Sequence, residues 1–282
     1  MRKPAPSARD SARAWDEAAA GWEAQTPHIQ AWLAEATAEM LDMADVRPGM
    51  RVLDVAAGAG DQSCDAARRV GCDGGVLATD VSPRMVEAAA ARLRAAGHGN
   101  AQCLVADCGA LGLDAANFDA AICRLGLMLL PDPLRGLRSV RRALRPGGRF
   151  CAMVFSEPRA NVCVDIVVSI VARRAGLPAG DRYRPGSLLS LGEPGLIEDL
   201  LASAGFVDIT VRRKRVTLGM ASLGDYLAFI RTAAAPVMGM LEMMGDAARR
   251  AAWAEIEEAL SPFSGADRWE APTELLLAAG AR

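Results

Sequence analysis

The sequence predicts an α/β fold: a doubly wound, mostly parallel sheet of seven strands. A helical cap comes from the N-terminus and from an insertion before the last strand. Three observations carry this. Short apolar runs alternate with helical patterns between residues 51 and 155, and that rhythm means βαβ units with helices on both faces. Two later runs, at 207–217 and 269–278, bring the strands to seven. The 282 residues, 51% of them apolar, suffice for one large domain with an appendage.

In chain order, residues 11–44 place Trp15, Ala18 and Trp22, then Trp32, Ala36 and Met40, at helical spacing. Thr26-Pro27 reads as a break between two helices, because proline is favoured at a helix start. Arg47-Pro48-Gly49 punctuates the chain. A strand at 51–55 runs into the small-residue turn 56–60 and a helix at 61–70 opened by Asp61. A second strand, 74–79, ends at Asp80, and Ser82-Pro83 caps a helix reaching about residue 96. A third, 102–106, ends at Asp107; a fourth covers 118–123. The helix at 132–144 stops at Arg145-Pro146-Gly147-Gly148, before a fifth strand at 149–155. Helices follow at 161–175 and 195–204, and the stretch 222–260 reads as two or three helices broken at Pro236 and Gly245. The division expected is a cap (1–45), a core (46–218), a lid (219–266) and a final strand (267–282).

Composition narrows the function. With 32 Lys+Arg against 34 Asp+Glu the net charge is −2, which excludes a dedicated nucleic-acid binder. The basic run Arg212-Arg213-Lys214-Arg215 alternates across a strand and reads as a solvated edge. No apolar run approaches the roughly 18 residues of a membrane span. The basic start is followed by no apolar stretch, so the expectation is a cytoplasmic protein without a secretory signal. Seven scattered cysteines form no C-x-x-C, and the two histidines, His28 and His98, lie away from them. They read as buried thiols in a reducing compartment, and no metal is expected.

The chemistry is concentrated in Val52-Leu53-Asp54-Val55-Ala56-Ala57-Gly58-Ala59-Gly60, a strand entering a bend without bulky side chains beside a helix N-terminus. Backbone N–H groups can approach a ligand closely there. Asp80 follows about 20 residues later at a strand end, where an acid accepts hydrogen bonds from ribose hydroxyls, and Asp107 adds a third acid. Together these describe a nucleoside-sized crevice on the carboxyl edge of a Rossmann-like sheet.

These motifs resemble those of the class I S-adenosylmethionine-dependent methyltransferases. The matching pieces are Leu53 to Gly60, Ala78-Thr79-Asp80-Val81-Ser82 and Val105-Ala106-Asp107-Cys108, followed by Phe118-Asp119-Ala120, Arg124-Leu125-Gly126-Leu127 and Leu144 to Arg149. The subgroup most similar is that of the ubiquinone/menaquinone methyltransferases, from which the chain departs by Ala59 in place of the usual Thr. The resemblance implies S-adenosylmethionine as cofactor. Gly58 and Gly60, with Ala56, would floor the methionine part, and Asp54 would orient the loop or engage the ammonium. Asp80 would bind ribose beside Val81, Met85 would pack on adenine, and Asp107 with Cys108 would meet its amino edge. Arg124 would pair with the methionine carboxylate, or with a neighbouring acid.

A general base is needed only for an acceptor protonated at working pH. His28 and Glu157 are the residues placed for that role. The expected acceptor is a small apolar or aromatic metabolite methylated on oxygen or carbon. It would sit among side chains such as Leu125, Leu127, Met128, Phe155, Phe229, Met238, Met240, Met243 and Met244, although methionines at this spacing also suit a core. Trp15 and Trp22 either close over the cofactor or staple their helix to the body. The association state considered is a homodimer. Two rivals remain: a nicotinamide-dependent oxidoreductase, which Tyr183 and Tyr226 do not support for want of an adjacent lysine, and a cofactor-binding protein without activity.

Overall fold

The computed structural model describes residues 8–178 and 183–282. The opening of the chain, read above for a secretory signal, falls partly in residues 1–7, outside that range.

Five strands run parallel: β1 (Arg51–Val55), β2 (Gly75–Asp80), β3 (Ala101–Val105), β4 (Phe118–Arg124) and β5 (Leu144–Phe155). The last two, β6 (Val207–Met220) and β7 (Trp269–Ala281), complete a seven-stranded sheet in the order β3-β2-β1-β4-β5-β7-β6. Only β7 is reversed, antiparallel to both of its neighbours. Strand order turns back between β1 and β4, so the loops after these strands flank a crevice at the carboxyl edge. The central strands are near-continuously buried, as expected of strands covered on both faces.

The faces are covered by α2 (Asp61–Val70), α3 (Pro83–Ala95), α4 (Pro133–Ala143), α5 (Val162–Arg174) and α6 (Leu196–Ser203). Ser82 caps α3 by accepting from the Met85 amide, and Asp132 caps α4 from Arg135. The insertion between β6 and β7 is three helices, α7 (Leu223–Ala233), α8 (Ala235–Glu242) and α9 (Asp246–Leu260), broken near Pro236 and at Gly245. Beyond Leu275, where β5 stops pairing, β6 and β7 continue as a two-stranded ribbon above the crevice.

Two local expectations are corrected. The N-terminal cap is one helix, α1 (Ala8–Met43), with Pro27 inside it. Interior proline costs a helix roughly 3 kcal/mol. Here Pro27 is exposed, while Ala19, Thr26, Ile29, Leu33, Ala36 and Met40 form one buried stripe across it. Packing on both sides keeps the axis going, and Thr26 Oγ1 donates to the Trp22 carbonyl at 3.2 Å. The second correction concerns β5, which starts at Leu144 rather than at 149. Leu144 pairs with Phe118 before the register shifts, and Arg145-Pro146-Gly147-Gly148 bulges out until Arg149 meets Ala120.

Candidate cofactor and acceptor site

The turn after β1 is shaped by backbone that side chains tolerate poorly. Ala56, Gly58 and Gly60 have φ of 54°, 54° and 81°. A Cβ on Gly60 would lie 2.8 Å from Ala89 Cβ, so glycine is what lets α3 pack against this turn. A Cβ on Gly58 would meet Trp22 Nε1 at 3.1 Å. Across the crevice, Leu125 also has positive φ (56°), and Gly126 lets the β4 loop nest against Ala56. Strained non-glycine backbone on both walls of one cleft is the signature of a site that the surrounding structure holds in place.

Asp80 ties two strand ends together. Its carboxylate accepts from Gly58 N and from Ser82 N, each at 3.0 Å. Burial pushes its pKa up, and these two N–H groups act against that rise. Asp107 accepts from Gly109 N at 2.9 Å and opens a short 3-10 turn. Both acids face one cavity of about 240 Å³, which is also lined by Ala56, Gly58, Val81, Met85, Cys108 and Arg124. Asp54 and Gly60 do not line it. Asp54 lies fully buried beneath the turn, accepting from Ser63 Oγ at 2.5 Å and Gln62 Nε2 at 3.3 Å. Burial raises its pKa to about 7 despite those bonds.

Arg124, at the end of β4, reaches the cavity while its Nη2 holds Asp61 Oδ2 at 2.5 Å and its Nη1 reaches Thr37 at 3.2 Å. Both charged side chains are almost wholly buried, and Asp61 Oδ1 has no hydrogen-bond partner. Asp61 is not among the residues lining the cavity, so Arg124 is the member of this pair that presents charge to it. Asp61 does not cap α2 as the sequence indicates: Gly60 holds the cap position without a side-chain bond, and Asp61, in the first turn, pairs with Arg124 instead. The fit to S-adenosylmethionine is thus physical: a turn shaped by glycine, two acids at neighbouring strand tips, and a buried arginine that reaches the same cavity.

Helix α1 roofs this cavity. Asp16 bonds Ser82 Oγ and accepts from Arg84 N, while Trp15 and Trp22 pack edge to face at 5.7 Å and line the cleft. They also line a second cavity of about 80 Å³ with Trp32, Phe155, Tyr226 and Phe229. The two cavities share Trp15, Trp22, Leu125 and Leu129. Of the apolar residues expected there, Met128 also contributes, whereas Leu127 and Met240 are core and Met243 is exposed. Met238 lines a separate groove instead.

The two proposed bases are not brought to either cavity. His28 lies exposed on α1, because the helix turns its buried stripe inward at Ile29 instead. Glu157 lies just past β5, but Arg159 first, and then Arg213, hold its carboxyl below the usual range as an ion pair. All seven cysteines are free thiols, and no metal-holding cluster occurs among the described residues. No described helix is long and apolar enough to cross a membrane.

Residues 30–171, half of the chain, match the ubiE/COQ5 methyltransferase family. The chain belongs to that family. It is therefore an S-adenosylmethionine-dependent methyltransferase, with S-adenosylmethionine as its cofactor. Among similar proteins is the ubiquinone/menaquinone biosynthesis C-methyltransferase UbiE of Idiomarina loihiensis, 39% identical over 119 residues, which are 42% of this chain and 47% of that protein. The UbiE of Edwardsiella ictaluri is 32% identical over 179 residues, covering 60% of this chain and 71% of its own. Among solved structures, the YcgJ protein of Bacillus subtilis has a TM-score of 0.57 at 18% identity, covering 88% of this chain and 98% of its own. The [4+2]-cyclase SpnF has a TM-score of 0.59 at 21% identity, covering 99% and 98%. Such likeness shows the same fold.

Proposed function

We propose that this family member methylates oxygen or carbon of a small, largely apolar or aromatic acceptor held in the second cavity. The observation that carries the reading is the shared wall: Trp15, Trp22, Leu125 and Leu129 belong to the cofactor cleft and to the apolar cavity alike. The bound cofactor supplies an activated methyl on a sulfonium. Asp80 would accept from the ribose, Asp107 and Met85 would hold the adenine end, and Arg124, itself held by Asp61, would meet the amino-acid end. Trp15 and Trp22 exclude water and set their ring faces beside the boundary, where a cationic sulfur is favoured. Catalysis in this arrangement is positioning, with acceptor and donor held at near-attack distance.

The lining of the second cavity offers Tyr226 as its one ionisable side chain, and burial pushes that phenol's pKa up. This supports an acceptor acidic enough to ionise by itself, such as a phenol or an activated ring carbon. Reaction in the cytoplasm belongs to the same reading. An extract incubated with the protein and isotopically labelled methyl donor is expected to yield one labelled product by mass spectrometry. If no product gains the label while calorimetry shows S-adenosylhomocysteine bound, the chain is a cofactor-binding protein and transfer is excluded.

A further inference from the structure

A third cavity, of about 690 Å³, lies on the far side of Trp32, between α1 and the β6–β7 ribbon. Trp32 lines both this cleft and the apolar cavity. Its ring stacks on Phe155 at 6.1 Å, and its Nε1 donates to Thr273 Oγ1 at 3.2 Å. The outer cleft differs in chemistry from the inner cavity: Arg159, Arg215, Glu274, Thr217 and Glu35 line it.

The lining side chains balance, Arg159 and Arg215 against Glu274 and Glu35, and a surplus appears once their ion-paired neighbours are counted. Arg159, Arg213 and Arg215 surround two carboxylates, those of Glu157 and Glu274, while Glu35 is matched by Lys214 at 3.0 Å. Three guanidiniums against two buried carboxylates leave one positive charge over. Arg159 and Arg215 each reach their glutamate through Nε, with side chains 84% and 91% exposed. That leaves the Nη pair of each for a second, planar acceptor.

We propose that the outer cleft receives the carboxylate of an amphiphilic acceptor whose apolar part passes Trp32 into the second cavity. The proposal rests on the reading of that cavity as the acceptor pocket. A single surplus positive charge suits a monoanion, and paired Nη groups suit a carboxylate. The apolar stem then runs over Trp32 and Phe155 toward Trp15 and Trp22, where the methyl is delivered. Trp32 is a positioning residue here, setting the angle at which the stem leaves the polar cleft.

The test is calorimetric titration of the full chain, saturated with S-adenosylhomocysteine, with dodecanoate and with dodecanol. Dodecanoate is expected to bind about fivefold more tightly, the effect of a partly exposed arginine–carboxylate contact. In an Arg159→Gln/Arg215→Gln double variant that still binds S-adenosylhomocysteine, the two affinities are expected to agree within twofold. If both compounds bind the unmodified chain equally, or if the double variant keeps the preference, the carboxylate site is overturned and the apolar acceptor pocket stands. If neither compound binds, the acceptor-pocket reading fails, and the carboxylate site fails with it.

Discussion

At the scale of single residues, four buried charged side chains lie in or beneath the cleft: Asp80, Asp54, Arg124 and Asp61. Asp80 accepts backbone N–H bonds from two loops, so removing it leaves Gly58 N unpaired and, on the proposed reading, strips the cofactor of a charged partner. Asp80→Ala is expected to weaken S-adenosylhomocysteine binding by about 1–3 kcal/mol in calorimetry. Asp54 makes stability depend on pH. Its folded pKa, about 7, stands above the ordinary 3.8, so its contribution is fully present below that ordinary value. It is lost as pH rises through 7. Urea denaturation at pH 5.5 and 8.5 is expected to show a loss of about 2 kcal/mol that Asp54→Asn abolishes. Arg124 neutralises Asp61 in a nearly dry setting. Arg124→Met is expected to destabilise the fold by about 3–5 kcal/mol, most of which Asp61→Leu in the same chain restores.

At the scale of elements, the fit of α3 against the β1 turn depends on one missing methyl. Gly60 combines a φ of 81° with a would-be Cβ contact at 2.8 Å, whereas Gly147 has similar φ (77°) and open space around it. Gly60→Ala should therefore lower the melting temperature clearly more than Gly147→Ala, whose cost is limited to about 1 kcal/mol of backbone strain. Equal effects would mean that α3 moves away freely. Helix α1 is the other informative element. Pro27 is a local signal for a break, but the helix continues because of the stripe from Ala19 to Met40, whose burial exists only once the sheet is formed. The Gly-rich turn, the strand-end acids and the caps at Ser82 and Asp132 were legible because each is a short-range feature with its own chemistry.

At the scale of the whole molecule, the proposed cofactor cleft joins α1, the β1 turn and the β4 loop, which come from separate parts of the chain. A ligand held by all three should stabilise globally, by about 2.7 kcal/mol at a hundredfold excess over Kd. Thermal denaturation with S-adenosylhomocysteine should show this rise. Hydrogen exchange should slow in residues 11–24 of α1, where Trp15 and Trp22 meet the cleft. A rise in melting temperature without protection of that segment would place the roof outside the binding event. The second and third cavities were not legible, because Trp32, Phe155, Thr273 and Tyr226 are spread over four elements and share no sequence pattern.

The sequence alone determined the doubly wound sheet, the turn that approaches a nucleoside-bearing ligand, and the acids at successive strand ends. Those depend on periodicity, glycine and capping, which act over a few residues. Tertiary structure decided that Pro27 stays inside a helix, that His28 faces solvent, and that Asp61 keeps an unpaired oxygen beside Arg124. It also decided which tryptophans divide one cavity from the next. Each of these depends on burial, and burial is created by neighbours far away in the chain.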